Sequence, residues 1–210
     1  MENQKMLTKE EVKIVGLFRD DLVRKYTIRE IAGKIGKKSY SWVFGAVEKL
    51  KKLEIIDVEA KGNSNFCSIN LENMLTLSYL AILEQIKINK NLPLKNINTL
   101  IKSIHLSYFT FIVAGSYAEG KQTSKSDLDI VVIIENKEEV KKVFSVLKNK
   151  GDLMIPRAHI YVFSHDDFLK MLLENEENYG KQIFRNKIII FGAENYYLIL
   201  KEAVKNGFKG

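Results

Sequence analysis

Two aspartates separated by one residue, Asp127 and Asp129, are the strongest candidates for chemistry in this chain. They stand at the start of an apolar segment typical of a β-strand, and strand side chains alternate between faces, so both carboxylates point the same way. Neighbouring carboxylates repel unless a cation lies between them, and their hard oxygens suit Mg²⁺ or Mn²⁺ held together with substrate phosphates. Gly115 and Ser116, in the turn before this strand, can offer backbone N–H groups and a hydroxyl to phosphates. The pattern predicts a metal-dependent site for a nucleoside triphosphate.

These residues resemble the signature of the DNA polymerase β-like nucleotidyltransferases, in particular their minimal members. That signature is Gly-Ser, a short loop, and Asp-x-Asp flanked by apolar residues; here it is Ala114-Gly115-Ser116 and Asp127-Leu128-Asp129-Ile130. The resemblance covers residues 109–195 and implies a mixed sheet flanked by helices. It also implies that both aspartates bind metal and that Gly115 and Ser116 hold the β- and γ-phosphates. Read without the resemblance, the same stretch can be an acidic surface loop on an α/β sheet.

Lysines in the loop between the turn and the second strand are further candidates for phosphate binding. Lys121 and Lys125 can offset phosphate charge, or they can be ordinary solvated lysines. Minimal members of the family often carry arginine shortly after Gly-Ser, whereas this chain has Tyr117 and Glu119. Glu119 repels a triphosphate unless it points away or joins the metal ligands. We therefore predict a nucleotide-binding site that has less positive charge near the turn than is usual in the family.

His159 occupies the position where the family usually has a third carboxylate, on a later strand. A neutral imidazole can bind a metal or accept a proton, but it does not supply the negative charge that favours two Mg²⁺ ions close together. The alternative is that His159 is a partly buried strand residue without a catalytic role. By resemblance, the predicted catalytic set is Asp127, Asp129 and His159, with Asp127 and Asp129 as the metal ligands.

The composition of the whole chain restricts the classes of protein to which it can belong. Its 210 residues allow one large domain or two small ones, and a hydrophobic content of 46% is ordinary for a globular protein. Uninterrupted apolar runs are too short for a transmembrane helix, and the polar N-terminus has no apolar core of a secretion signal. The single cysteine, Cys67, cannot form an internal disulfide. We therefore expect a cytoplasmic protein with no membrane partner.

The first third of the chain follows the order helix, helix, turn, helix, hairpin. Two Thr-x-x-Glu sequences, from Thr8 to Glu11 and from Thr27 to Glu30, have the spacing of a capping box and predict helix starts. Gly36 ends the second helix. The predicted helices span about 8–25, 28–35 and 40–52, and the predicted strands lie near 55–60 and 66–69.

That order of elements resembles the winged helix-turn-helix domain, particularly of microbial transcription regulators. In that family the third helix enters the major groove of DNA, and the hairpin touches the backbone or the minor groove. Residues 28–52 carry seven basic side chains against two acidic ones, which suits a phosphate-facing surface. The alternative is a winged helix used only for protein contact or dimerisation. Trp42 of the third helix is more often a core anchor than a base reader. The implied DNA-binding residues are Lys37, Lys38, Ser39, Tyr40, Ser41, Lys49 and Lys61, with Lys51 and Lys52 as further phosphate contacts.

The predicted fold class is α/β (α+β), in three parts. Residues 1–70 form a winged helix-turn-helix DNA-binding domain, residues 71–92 an apolar linker helix, and residues 93–210 a nucleotidyltransferase-like domain. A homodimer is expected because winged-helix proteins commonly read paired half-sites. Within the last domain, strands are predicted at 108–114, 158–163 and 188–191, and helices at 94–104, 138–148, 164–174 and 194–205.

Two functions of different class are compatible with this organisation. One is an enzyme that transfers a nucleoside monophosphate from a triphosphate, with ATP the expected substrate, to an acceptor hydroxyl. The acceptor is open, and a partner protein is one candidate because minimal nucleotidyltransferases often act as antitoxins that modify a partner toxin. The other is a DNA-binding transcriptional regulator or antitoxin whose second domain senses nucleotide or mediates dimerisation. The intact aspartate pair favours the enzyme, whereas His159 and Glu119 favour the regulator.

Overall fold

The computed structural model of the chain describes residues 6–37, 39–88 and 91–210. Lys38, one of the predicted DNA contacts, lies outside the described residues. The described chain divides into two compact units: an N-terminal unit up to Leu83, joined by Lys209–Gly210, and a C-terminal unit, Glu84–Phe208. The boundary between the units falls inside a helix, Met74–Lys87. The predicted domain limits at residues 70 and 92 stay predictions.

The N-terminal unit has the predicted order of elements with one addition. Tyr26–Thr27 forms a short strand that pairs antiparallel with the second strand of the hairpin. Two residues are too few to show any alternation, so no sequence pattern indicated this strand. The elements are α1 (Lys9–Asp20), β1 (Tyr26–Thr27), α2 (Ile28–Lys34), α3 (Tyr40–Lys52), β2 (Ile56–Lys61) and β3 (Ser64–Ile69), followed by α4 (Met74–Lys87) across the boundary.

Both predicted capping boxes are confirmed. Thr8 Oγ1 accepts the Glu11 N–H at 3.3 Å, while Glu11 Oε2 accepts the Thr8 N–H at 2.7 Å. Thr27 and Glu30 repeat the arrangement at the start of α2. The prediction that the first helix continues to about residue 25 is wrong, since α1 ends at Asp20. Adjacent acidic residues at positions 20 and 21 oppose the negative end of the helix dipole, which disfavours further helical turns.

The sheet of the N-terminal unit has the strand order β1-β3-β2, and all its pairs are antiparallel. The β2–β3 hairpin turns at Gly62, whose φ is +59°. Cys67 is buried opposite Tyr26 and Val58. Burial raises the pKa of the Cys67 thiol to about 11, with a smaller contribution from the charge of Glu48. The thiol therefore stays protonated at neutral pH, as expected of a packing residue.

The C-terminal unit is a mixed four-stranded sheet flanked by helices, which confirms the predicted fold class. The strand order is β6-β5-β4-β7, with β5–β6 parallel and the other pairs antiparallel. The elements are α5 (Leu94–Ile101), β4 (Phe109–Val113), α6 (Gly115–Glu119), β5 (Leu128–Ile134), α7 (Val140–Gly151), β6 (Ala158–Ser164), α8 (His165–Leu173), α9 (Tyr179–Arg185), β7 (Ile188–Phe191) and α10 (Ala193–Lys205).

Helix α9 has no counterpart in the predicted elements. It follows the polar run from Glu174 to Asn178, which is typical of a loop, and seven residues are too few for a clear helical period. Its start is nevertheless signalled, because Asn178 Oδ1 accepts the Lys181 N–H at 3.1 Å as an N-cap. Across both units, none of the helices that the structure describes combines the length and apolarity needed to cross a membrane.

Candidate functional site

Gly115 is held in contact with Asp129 by the way β4 ends. The φ of Gly115 is +60°, and a Cβ at this position would lie 2.1 Å from Oδ2 of Asp129. The backbone N–H of Ala114 donates to the backbone oxygen of Asp129 at 2.9 Å, which fixes the two segments side by side. Only glycine permits both this backbone conformation and this close approach. Gly115 and Ser116 were expected to form a turn; they are instead the first two residues of the short helix α6.

Asp127, Asp129 and His159 are brought together by strand register. Asp127 immediately precedes β5, and Asp129 is the second residue of that strand, with the fully buried Leu128 between them. His159 of β6 lies directly opposite Asp129 in the parallel pair. The Nε2 atom of His159 is 3.3 Å from Oδ2 of Asp127, and its Nδ1 atom is 3.5 Å from Oδ1 of Asp129. The imidazole therefore faces both carboxylates, while its side chain remains 46% exposed.

The carboxylate form of Asp129 is electrostatically unfavourable in this site. Burial raises the pKa of its carboxyl group, His159 opposes that change, and the charge of Asp127 adds to it. The Asp129 side chain is 28% exposed, so its carboxylate is partly removed from water, and among the described residues it has no ion pair with a lysine or arginine. A bound cation would relieve both the desolvation and the repulsion between the two aspartates.

The donor set fits a hard divalent metal that shares its coordination with a substrate. Within residues 6–37, 39–88 and 91–210, no group of three or more His, Cys, Asp or Glu side chains is arranged to hold a metal ion. Two carboxylates alone leave most positions around the ion for water and phosphate oxygens. That is the usual way in which proteins bind Mg²⁺, in contrast to ions enclosed by protein ligands.

A cleft of about 230 Å³ opens beside Gly115. Helix α9 supplies much of its lining, so the sequence prediction missed these residues together with the helix. Tyr179 lies at the start of α9, and its ring centroid is 4.8 Å from that of Tyr161 on β6. Burial raises the pKa of Tyr179 far above its ordinary value, and the charges of Asp129 and Tyr161 raise it further. The cleft is lined by Gly115, Glu119, Tyr179, Gln182, Arg185 and Asn186, among others.

The two loop lysines, Lys121 and Lys125, are both exposed. The Lys121 ammonium is 3.0 Å from the Glu119 carboxylate, which offsets the negative charge that Glu119 places beside the turn. Lys125 is exposed, and its backbone N–H donates to Oγ1 of Thr123 at 3.3 Å. Their role in binding phosphate stays a prediction.

The predicted DNA-binding residues fall into three groups in the N-terminal unit. Ser39 caps α3 by accepting the Trp42 N–H at 3.3 Å, and Tyr40 and Ser41 are exposed in its first turn. Lys61 is exposed at the end of β2. The other lysines with described contacts are paired: Lys49 lies 2.8 Å from a Glu11 carboxylate oxygen, and Lys37 lies 3.3 Å from a Glu10 carboxylate oxygen.

Trp42 is not a core anchor. Its side chain is exposed, and the Lys37 ammonium lies 5.0 Å from the centre of a Trp42 ring. The buried side of α3 is filled instead by Val43, Ala46, Val47 and Leu50.

Residues 94–192, just under half of the chain, match the family model of the nucleotidyltransferase domain. No curated protein matches the sequence. One similar solved structure is MepR, a transcription regulator of the Staphylococcus aureus multidrug efflux pump MepA. It is 12% identical over 46% of this chain and 76% of that chain, with a TM-score of 0.34. Another is a toxin-antitoxin with AMP-PNP, 15% identical over 55% of this chain and 86% of that chain, with a TM-score of 0.37.

Proposed function

We propose that the nucleotidyltransferase domain at residues 94–192 binds a nucleoside triphosphate with a divalent metal and transfers its nucleoside monophosphate to an acceptor hydroxyl. One observation carries the proposal: the carboxylate of Asp129 packs against the Cα of Gly115, where a Cβ would collide with it at 2.1 Å. This contact supports the proposal because Asp129, proposed as a metal ligand, lies against Gly115, proposed with Ser116 at the start of α6 as a phosphate-binding residue. ATP with Mg²⁺ or Mn²⁺ is the expected substrate pair.

The residues around the aspartates suit an in-line displacement at the α-phosphorus. The acceptor oxygen forms a bond to phosphorus, the bond to the bridging oxygen breaks, and diphosphate leaves with its electron pair. A metal held by Asp127 and Asp129 would neutralise charge on the phosphates and on the leaving diphosphate. Gly115 and Ser116 would hold the terminal phosphates through backbone N–H groups and a hydroxyl. Lys121 and Lys125 would add positive charge from the exposed loop.

We assign His159 to the acceptor side of this reaction. Its imidazole lies against both aspartates and is close to half exposed, so an incoming hydroxyl can reach it. A neutral imidazole can accept the proton that the hydroxyl loses. This role would replace the third carboxylate that the family usually supplies.

We further propose that the N-terminal unit is a winged helix that contacts DNA and that the protein forms a homodimer. Support for the DNA contact is the basic excess in residues 28–52 and the exposed first turn of α3. Support for the dimer is the part of α4 in the N-terminal unit, where Met74 and Ile82 are exposed eight residues apart on one face. Replacing Ile82 with Asp should convert a dimer into a monomer in light scattering, and Ser78→Asp on the same face should act similarly.

The enzymatic part is tested with ATP labelled at the α-phosphate, in Mg²⁺ or Mn²⁺, with the protein itself, partner proteins and oligonucleotides as acceptors. Asp127→Asn should abolish transfer of label. Asp166→Asn is the matched control, because Asp166 is an exposed aspartate of the same unit, on the first turn of α8. Equal transfer by both variants, or no metal-dependent ATP binding by the native protein in calorimetry, would contradict the proposal.

A second candidate is the regulator, in which the C-terminal unit binds nucleotide with little turnover. The imidazole beside the two aspartates favours it, because no negative charge stands at that third position. His159→Asp separates the two candidates. A gain of transfer activity in the variant supports the regulator, whereas a loss supports His159 as the proton acceptor of an enzyme.

A further inference from the structure

The N-terminal half of α3 exposes three aromatic rings. Tyr40 is 50% exposed, Trp42 37% and Phe44 41%. Large aromatic side chains contribute most to a small domain when they are buried, so three exposed rings on one short segment are a feature to explain. We call this surface, formed by Tyr40, Trp42 and Phe44, the aromatic face of α3.

The rings are arranged as two platforms with a gap between them. Tyr40 and Phe44 are one helical turn apart, and their rings are stacked with centroids 6.5 Å apart and planes 29° apart. Trp42 projects from the other flank of the helix, under the ammonium of Lys37. Between the flanks lie Ser41 and Gly45, which are small and exposed. Flat groups can therefore stack on the rings at either side of the shallow surface formed by Ser41 and Gly45.

One platform borders a polar cleft. Tyr40 lines a cavity of about 390 Å³ together with Arg29 of α2 and the hairpin residues Asn63, Ser64 and Asn65. Its volume is within the range of sites that bind small molecules. Amide, hydroxyl and guanidinium groups surround the opening, so a flat ring that stacks on Tyr40 would find hydrogen-bond donors and acceptors at its edge.

This combination of rings, polar cleft and lysines matches the chemistry of unpaired nucleotides. Proteins bind single strands by stacking bases on exposed aromatic side chains within a basic surface. In a duplex the bases are stacked on each other and show only their edges, which are read by polar side chains and not by ring faces. A protein partner could also cover aromatic rings. Residues 28–52, however, carry seven basic side chains against two acidic ones, and although Lys37 and Lys49 pair with Glu10 and Glu11, the exposed Arg29, Lys34, Lys51 and Lys52 still favour a polyanion.

We propose that the aromatic face of α3 binds single-stranded nucleic acid, with bases stacked on the Tyr40–Phe44 pair and on Trp42, and a base edge in the cleft beside Arg29. The inference goes beyond a winged helix that reads duplex DNA. It does not depend on nucleotidyl transfer at Asp127 and Asp129, so the two proposals can fail separately.

The test uses the only tryptophan of the chain as a reporter. The full-length protein is titrated with oligo(dT), with oligo(rU) and with a mixed-sequence DNA duplex, all of equal length. We expect a single strand to quench Trp42 fluorescence and to bind at least about tenfold more tightly than the duplex. The comparison of the two single strands identifies whether DNA or RNA is preferred.

Variants connect the binding to the rings. Phe44→Ala should weaken single-strand binding about tenfold, since stacking of one base contributes about 1–3 kcal/mol and 1.4 kcal/mol is a tenfold change. Phe44→Leu keeps an apolar side chain without a ring and should weaken binding similarly, whereas Phe44→Tyr should retain it. Tyr108→Ala, at a 75% exposed ring of the other unit, is the control and should have no effect.

Two results would overturn the inference. Tighter binding to the duplex, with Trp42 fluorescence unchanged, would leave duplex DNA as the partner and remove the role of the rings. Equal affinity of the Phe44→Leu variant and the native protein for single strands would show that stacking contributes nothing. Circular dichroism of each variant confirms that a loss of binding is not a loss of folding.

Discussion

The two candidate sites of this protein are constructed in different ways. In the C-terminal unit, Asp129 touches the Cα of Gly115 and lies opposite His159 in the sheet, so backbone contacts and strand register fix the site. In the N-terminal unit, the aromatic face of α3 consists of side chains that project into solvent. The first site should lose function after small changes to the backbone, whereas the second should depend on ring chemistry and tolerate such changes. Preorganised geometry suits group transfer, and adaptable contacts suit recognition of a flexible strand.

The largest effect is expected at Gly115. Gly115→Ala should abolish metal-dependent ATP binding in calorimetry, because the added Cβ collides with the Asp129 carboxylate. Gly120→Ala is a matched control: its φ is +69°, close to that of Gly115, but among the described residues no atom beyond its two chain neighbours lies within 4 Å of the added Cβ. Each variant should lose roughly 1–2 kcal/mol of stability from the left-handed backbone conformation. Equal ATP binding by the two variants would show that the contact between Gly115 and Asp129 does not control binding. It would contradict the proposed dependence of this site on backbone geometry.

The next largest effect is expected at Glu11, which pairs with Lys49 of α3, the helix that carries the aromatic face. Glu11 is buried, caps α1 and pairs with Lys49. Burial acts to raise its pKa, but the bonds from Lys49 and Thr8 outweigh it and hold the pKa of Glu11 below its ordinary value. Its contribution to stability is therefore present above the ordinary pKa and is lost as the pH falls through the lowered one.

Glu11→Gln should accordingly lower the stability of the N-terminal unit by about 1–2 kcal/mol at neutral pH, as for the loss of a helix cap. The difference from the native protein should shrink on acidification, as followed by thermal melting at a series of pH values. Glu48→Gln on α3 is the control. A difference that stays constant from neutral to acidic pH would show that the charge of Glu11 is not the cause.

A smaller and opposite effect is expected at Asp129. Burial raises the pKa of its carboxyl group, so the folded state favours the protonated form. The favourable contribution is present below the ordinary pKa and is lost as the pH rises through the raised one. Asp129→Asn should therefore stabilise the metal-free protein at neutral pH by less than about 1 kcal/mol, or about 2–4 °C at most.

Mg²⁺ or Mn²⁺ together with ATP should remove this advantage of Asp129→Asn, because ligands that bind only the folded native protein raise its melting temperature. Melting curves with and without both ligands provide the comparison. If the variant is already less stable than the native protein without ligand, the pair with His159 outweighs the desolvation of Asp129.

The smallest effect distinguishes the predicted DNA contacts from one another. Lys61→Ala should weaken nucleic-acid binding a few-fold and reduce its salt dependence, without a change in stability, as for one phosphate contact. Lys49→Ala should lower stability as well, because it leaves the buried Glu11 carboxylate without its partner. Equal melting temperatures of the two variants would show that the Lys49–Glu11 pair contributes little.

More of the C-terminal site than of the aromatic face could be predicted from the sequence. The alternation of strand side chains was enough to predict that Asp127 and Asp129 lie together, and His159 was identified because the family usually has its third carboxylate at that strand position. The contact between Gly115 and Asp129 could not be predicted, because it depends on how closely β4 and β5 approach at their ends. The cleft beside Gly115 was missed with α9, whose seven residues follow an acidic, polar run.

For the aromatic face, the sequence did not predict which side chains are buried. The spacing of Tyr40 and Phe44 predicts that their rings share a flank of a helix, but it does not say whether that flank is buried or exposed. General preferences favoured a buried Trp42, whereas the inner side of α3 is filled by Val43, Ala46, Val47 and Leu50. Side chains on helices obtain their surroundings from tertiary packing, which a single sequence leaves open.

The position of β6 at the edge of the sheet has an evolutionary consequence. His159 extends from a border strand and is almost half exposed, so its replacement disturbs neither the central strands nor the buried core. Asp129, by contrast, lies against Gly115, where the backbone tolerates little change. The proton acceptor proposed for this protein can therefore be exchanged through one substitution while the architecture is kept.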